Sequence, residues 1–262
     1  MRERSRAGRR AVWAGVPVAV APAHAGPAAT WLPGVRRRWF PELSGHGRSD
    51  RVALTDDGPD PASTPRFLDA LDGLGVRATF SVLGESVVRH PEVAREAVRR
   101  GHEPAVHGRR HDRPWLPSPA GDVRELLRAV RTVADATGRG PRWYRPPYGS
   151  LTAGRWAAAR RAGPRPVLWT AWGEDWTPTA TPASVRARVA AGLRGGGTIL
   201  LHDTGHAATP GCRRAALGAL PDLVGGCRAA GLPVGPLAGH GVGRRPARPP
   251  SGPRPFPSGA PG

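Results

Sequence analysis

From Arg51 onward the sequence alternates between two apolar periodicities, and that alternation limits what the chain can fold into. Short runs of strand type fall at Val52 to Leu54, Ala78 to Leu83, Glu103 to Val106, Pro166 to Trp172, Thr198 to Leu201 and Leu232 to Val234. Between them lie stretches with helical spacing. Phe67, Leu68, Leu71 and Leu74 share one face of a helix over Thr64 to Leu74 that Gly75 closes. Pro91 opens the next helix where its missing N–H costs nothing, and Gly101 ends it. Further helices are expected over Asp122 to Thr137, Leu151 to Ala162, Pro182 to Leu193 and Arg213 to Ala230. Strand and helix in regular succession predict β-α units around a parallel sheet, and 262 residues suit one large α/β domain.

The two ends read differently. Residues 1–10 are Arg-rich, residues 11–23 mostly apolar, and Ala23-His24-Ala25 has the small-x-small outline of a cleavage site. Export, to a secreted or cell-wall-associated location, is the expectation; an uncleaved arm on a cytoplasmic protein is the alternative. The apolar run is too short for an ordinary membrane span. Residues 1–43 are therefore read as an N-terminal arm, with Trp31, Leu32, Trp39 and Phe40 available to pack on a domain over 44–240. Residues 241–262 are Pro, Gly, Arg and Ser, a composition that cannot bury enough apolar surface to order itself.

The formal charge of +19 comes entirely from Arg, with no Lys, and the arginines are spread along the whole chain. A nucleic-acid surface would cluster basic residues among aromatics, so no nucleic-acid partner is expected. Attraction to an anionic polymer such as a cell wall is what the charge supports. Cys212 and Cys227 define no disulfide framework: on one continuous helix they would lie about 22 Å apart, far beyond bridging distance.

Polar residues gather just after the apolar runs: Asp56 and Asp57, His107 and His111, Arg145, Asp175, and His202. In parallel α/β architectures the carboxyl ends of the strands meet on one face, so these residues converge. Adjacent carboxylates on an extended chain point to opposite sides, so one can hold a metal while its neighbour moves a proton. His107 and His111 are spaced so that both imidazoles can point one way, and imidazole suits zinc and similar first-row ions. With Asp57 they make a two-His, one-carboxylate set that leaves a position for water, a nucleophile for which Asp56 could be the general base. Arg145-Pro146-Pro147-Tyr148-Gly149 adds a guanidinium on a rigid turn. Trp172, Asp175 and Trp176 bring aromatic walls and a carboxylate, and His202 ends a strand, suited to protonating a leaving group. His24, His46, His90, His102, His206 and His240 lack such a setting and are taken as structural or exposed.

In this order, Thr55-Asp56-Asp57-Gly58-Pro59, His107-Gly108-Arg109-Arg110-His111, Arg145-Pro146-Pro147-Tyr148-Gly149, Asp175-Trp176 and Leu200-Leu201-His202-Asp203 resemble the polysaccharide deacetylase family, also called the NodB-homology or carbohydrate esterase 4 family. The resemblance spans roughly Arg51 to Gly239. It implies a single-domain, distorted (β/α) barrel and metal-dependent removal of acetyl groups from N-acetylated sugars of a peptidoglycan-like or chitin-like chain. It implies Asp56 as base, Asp57, His107 and His111 as ligands of a divalent ion, zinc foremost with cobalt or another first-row ion possible, and His202 as acid. Arg145 would hold Asp56, Asp175 would tune His202, Trp176 and Leu200 would line the acetyl pocket, and the Tyr148 N–H would stabilise the oxyanion. The partner is then a carbohydrate, acted on by a monomer.

Three positions depart from the family pattern. A Phe usual between Thr55 and the first Asp is missing, Gly108 stands where Ser or Thr is common, and Ser81 replaces an aromatic, which would loosen the core. Strand alternation has period two, so a lost residue moves either the acids or the residues before them to the other face. The alternative function is a catalytically impaired barrel that binds carbohydrate.

Overall fold

β1, Val52–Gly58, is buried along all seven residues, as a strand covered on both faces must be. The computed structural model describes residues 29–30, 32–112, 119–204 and 212–242. The expected signal segment with His24, Trp31, His206 and nearly all of the expected tail lie outside the described residues.

β1 runs parallel to β2 (Thr79–Leu83) on one side and to β7 (Thr198–His202) on the other. Past β2 the sheet continues through β3 (Glu103–Gly108), β4 (Trp143–Tyr144) and β5 (Arg165–Pro166), and past β7 comes β6 (Ala171–Trp172). The strands thus follow one another round the sheet in chain order, with β8 (Val234–Gly235) added at the start of β1. This is the expected distorted (β/α) barrel, curled but unpaired between β5 and β6 among the described residues.

Outward side chains of the strands, Leu54, Phe80, Val106 and Leu201 among them, pack under the helices in one large apolar layer. That layer takes Phe67, Leu68 and Leu71 from α2 (Thr64–Gly73), which ends at Gly75 with φ 63, a left-handed turn that Gly adopts without steric cost. The other helices that cover it are α3 (Gly84–Arg89), α4 (Pro91–Arg99), α5 (Pro119–Thr137), α6 (Ala153–Ala162), α7 (Pro182–Gly192) and α8 (Cys212–Ala229). α7 begins with a reciprocal cap between Thr181 and Ser184. α8 continues through Pro221, so Cys212 and Cys227 belong to one helix, and Cys227 is a buried free thiol. Inside the barrel Ala53, Ala105, Trp143 and Val167 fill one end, closed from below by Leu237 and Val242.

The run Pro166 to Trp172 is not one strand. Residues between β5 and β6 leave the ladder because their backbone groups are used elsewhere: Leu168 N–H donates to Leu43 O at 2.9 Å, and Thr170 N–H to Thr198 O at 3.0 Å. The segment before β1 therefore fills the seam. It contributes α1 (Pro33–Trp39), a short turn at Pro41–Leu43, and Leu43 itself, 1% exposed. Of the four residues expected to anchor this segment, Phe40 packs on Trp156, Trp39 is 67% exposed under the Arg38 guanidinium, Leu32 is exposed, and Trp31 is not described.

Candidate active site

Pairing registers fix which way the two acids of β1 point. Asp57 lies beside Ser81 of β2 and His202 of β7, and shares their face toward the barrel interior. Asp56 lies beside Phe80 and Leu201, both members of the outer layer, and so points away from the interior. Asp57 lines the cavity, and its Oδ1 accepts from Arg145 Nη1 at 3.0 Å. The expected bond from Arg145 to Asp56 is therefore not formed, because the alternation of β1 brings Asp57 to the guanidinium instead. Asp56 Oδ1 accepts from the Asp203 N–H at 2.8 Å. Gly58 follows because a Cβ there would run into the Asp203 carboxylate.

Electrostatics separate the neighbours further. Burial would push the Asp57 carboxyl up, but His107, Arg145, His202 and the Ser81 hydroxyl together hold it below its ordinary range. The Asp56 carboxyl is pushed well above that range, first by burial and then by Asp203, Asp175 and Asp57. Asp203 is pushed up to about 7, chiefly by burial, with Thr64 opposing and Asp60 adding. Ser81 does not loosen the core: it faces inward beside Asp57 and hydrogen-bonds it.

His107 sits on β3 where the pairing with β2 slips by one residue, a bulge of the kind that re-aims a side chain. Gly108, next in line, has φ 106, a conformation that Ser or Thr would adopt only with strain. His107 Nδ1 donates to Arg145 O at 2.8 Å, since a carbonyl only accepts, and this leaves the Nε2 lone pair 3.7 Å from Asp57 Oδ2. Burial depresses the proton affinity of His107 below its ordinary value despite Asp57. Two electron-pair donors thus face each other with no proton between them, an arrangement that a cation would satisfy. The His111 ring lies 5.1 Å from that of His107 and 4.4 Å from that of Tyr148; burial, then His107, pushes it down to about 4. The donors fit a first-row ion in kind, although among the described residues no three such side chains already converge on one ion position.

Arg145 is fully buried, and its one ion pair among the described residues is with Asp57. After it, Pro146 and Pro147 lead to Tyr148, whose φ of 58 is strained for a residue with a Cβ. Across the cavity, Asp175 grips His202 twice, accepting from its N–H at 2.7 Å and from Nδ1 at 2.9 Å. Burial opposes a charged imidazole, but the charge and hydrogen bond of Asp175 win, and His202 is raised above its ordinary value. Its Nε2 is left for the cavity. Trp176 stands 5.5 Å from the His202 ring, Trp172 4.5 Å from Trp176, and Trp169 5.5 Å from Trp172. Leu200 faces the same space, which measures about 490 Å³.

The site residues inferred from sequence thus meet at one end of the barrel, apart from Asp56, which lies just behind it. Trp169, Arg36, Arg37 and His46 also line the cavity and were not expected there. The sequence reading of His46 as structural or exposed is thus corrected, since it lines the cavity. His102 and His240 do prove to be buried structural side chains, with His102 Nδ1 accepting from Ala78 N–H and His240 Nε2 bonded to Gly196 O.

The sequence pattern of the polysaccharide deacetylase family matches residues 44–167. A chitooligosaccharide deacetylase of a Bradyrhizobium strain is 38% identical over 169 residues, covering 64% of this chain and 75% of that protein. The chain belongs to the polysaccharide deacetylase family. A peptidoglycan-N-acetylglucosamine deacetylase of Listeria monocytogenes is 34% identical over 164 residues, covering 62% of this chain. The chain spans about a third of the length of that relative, 34%. Among solved structures, a family 4 carbohydrate esterase pseudoenzyme from Bacillus anthracis, in a mutant form with restored enzymatic activity, superimposes with a TM-score of 0.66 at 26% identity. The match covers 74% of this chain and 68% of that one. Membership in the family agrees with the barrel and with the strand-end position of its polar residues.

Proposed function

We propose that this protein removes N-acetyl groups from the amino sugars of a polysaccharide or oligosaccharide, using a divalent first-row ion, zinc foremost, held by Asp57, His107 and His111. The observation that carries the reading is the grip of Asp175 on His202, which aims a proton-bearing imidazole into a Trp-walled cavity opposite the facing lone pairs of Asp57 and His107. The ion, when bound, supplies Lewis acidity and acidifies water. Trp176 and Leu200 offer an apolar wall to the acetyl methyl group. The Tyr148 N–H, on its strained turn, serves the oxygen that gains charge as water adds to the amide carbon. His202 gives its proton to the nitrogen as the C–N bond breaks and is reprotonated by the proton that the water gives up, leaving acetate and a free amine. Names of relatives support this class of substrate: the Bradyrhizobium protein is called a chitooligosaccharide deacetylase and the Listeria protein a peptidoglycan deacetylase. A secreted or wall-associated monomer is the setting we propose.

One observation favours a second reading, a glycan-binding barrel with impaired turnover. The role the family resemblance gives Asp56, taking the proton from water, needs a carboxylate on the cavity side, and Asp56 faces the outer layer. Acetate release from an N-acetylglucosamine oligomer with added zinc or cobalt decides between them. The proposal expects release that falls at least about 100-fold in His202→Ala, the scale of a lost general acid. Binding of the oligomer with no acetate released would overturn it in favour of the second reading.

A further inference from the structure

The aromatic wall does not stop at the acetyl pocket. From His202 it runs through Trp176 and Trp172 to Trp169, and Trp169 lies between two guanidiniums, 5.8 Å from that of Arg145 and 6.0 Å from that of Arg36. Arg145 has its carboxylate in Asp57. Among the described residues Arg36 has none: it is 5% exposed, its Nη1 and Nη2 donate to the backbone carbonyls of Thr30 and Trp169, and its buried Nε has no partner there. Arg37, exposed beside it, lines the same cavity and forms no ion pair among the described residues. His46 lines it too. Asp57, already neutralised by Arg145, is the one carboxylate that lines the cavity among the described residues. A buried guanidinium whose charge meets only carbonyl dipoles, next to a second one of like charge, is an arrangement that an anion stabilises.

We propose that Arg36 and Arg37 form an anion subsite of the cavity, and that the glycan it selects carries a carboxylate on a sugar flanking the N-acetylated one. Sugar rings stacked along the tryptophan wall would present the acetamide at His202 and the acidic substituent at Arg36 and Arg37. Both arginines lie ahead of the family match at residues 44–167, so this subsite is a property of the segment that fills the seam. The inference rests on the glycan-binding half of the proposed function and not on turnover.

The test is a tryptophan fluorescence titration of the full chain, read within seconds of mixing, with three tetrasaccharides. One is the neutral N-acetylglucosamine tetramer; one has lactyl ether carboxylates on alternate sugars; the third is that acidic glycan with its carboxylates amidated. The expected result is tighter binding of the acidic glycan by about tenfold, lost on amidation and weakened by salt. Arg37→Gln should remove that preference without changing affinity for the neutral tetramer, and Arg37→Lys should restore part of it. Equal affinity for all three, no effect of Arg37→Gln, or binding of none of them would overturn the subsite. Acetate release with equal affinities would sink the subsite and leave the deacetylase reading standing; Arg37-dependent preference without acetate would do the reverse.

Discussion

Arg145 has no exposed surface, and breaking a buried ion pair by removing one partner costs about 3 to 5 kcal/mol. Asp57→Asn should therefore lower stability by that order and abolish acetate release together. Asp56→Asn should cost little stability, because a carboxyl held well above its ordinary range is already disposed to carry a proton, which the amide mimics. Urea titrations of both variants check the ranking, and a larger loss in Asp56→Asn would contradict it. His202 supplies a second expectation at this scale. Its proton affinity is raised by Asp175 against burial, so the acid form persists to higher pH and activity falls as pH rises through the raised value. The stability from the pair is likewise full below the unfolded value of about 6.5 and lost as pH rises through the folded one. Asp175→Asn removes the main opposition to burial and leaves only Asp57 against it, so the alkaline limb of a pH–rate profile should move to lower pH. A limb that stays put would mean that another group gives the proton.

At the scale of elements, the phase of β1 decides how the site is furnished. With Val52 and Leu54 held in the outer layer, inserting Phe between Thr55 and Asp56 would turn Phe outward, bring Asp56 to the Arg145 side, and move Asp57 one residue further along. Misplacing a catalytic group by about 1 Å can cost about 100-fold, so the insertion, which turns Asp57 away from His107, should lower acetate release by at least that order. A rise in activity would show that Asp57 does not serve the chemistry from its present place. The seam offers a stability test: Leu43→Ala removes a buried side chain that joins the lead-in segment to the gap between β5 and β6. A loss of about 2 to 5 kcal/mol is expected by urea titration. A change under about 0.5 kcal/mol, the size of an ordinary surface substitution, would show that the segment does not hold the seam.

Across the whole molecule, what was legible in the sequence was whatever one strand or helix carries by itself. His107, Arg145, Asp175 and His202 could be found because each follows an apolar run, and parallel strands end on one face. The sequence also showed that Asp56 and Asp57 point oppositely, but not which one faces inward, since period two leaves the phase to neighbours such as Ser81 and His202. Trp169 and Arg36 were not legible as a pair, because they meet through a bond between residues 133 positions apart. The splitting of Pro166 to Trp172 has the same cause: Leu168 bonds Leu43 in a segment whose sequence shows no strand. The central claim is that this assembly is a hydrolytic centre depending on Asp57, His107 and His111. The most direct measurement is acetate release from an N-acetylglucosamine oligomer before chelation, after it, and after returning one equivalent of zinc. Release should fall to background on chelation and recover with zinc in the unmodified chain, and should not recover in the His107→Ala, His111→Ala double variant. Release indifferent to chelation, or retained by the double variant, would contradict the account.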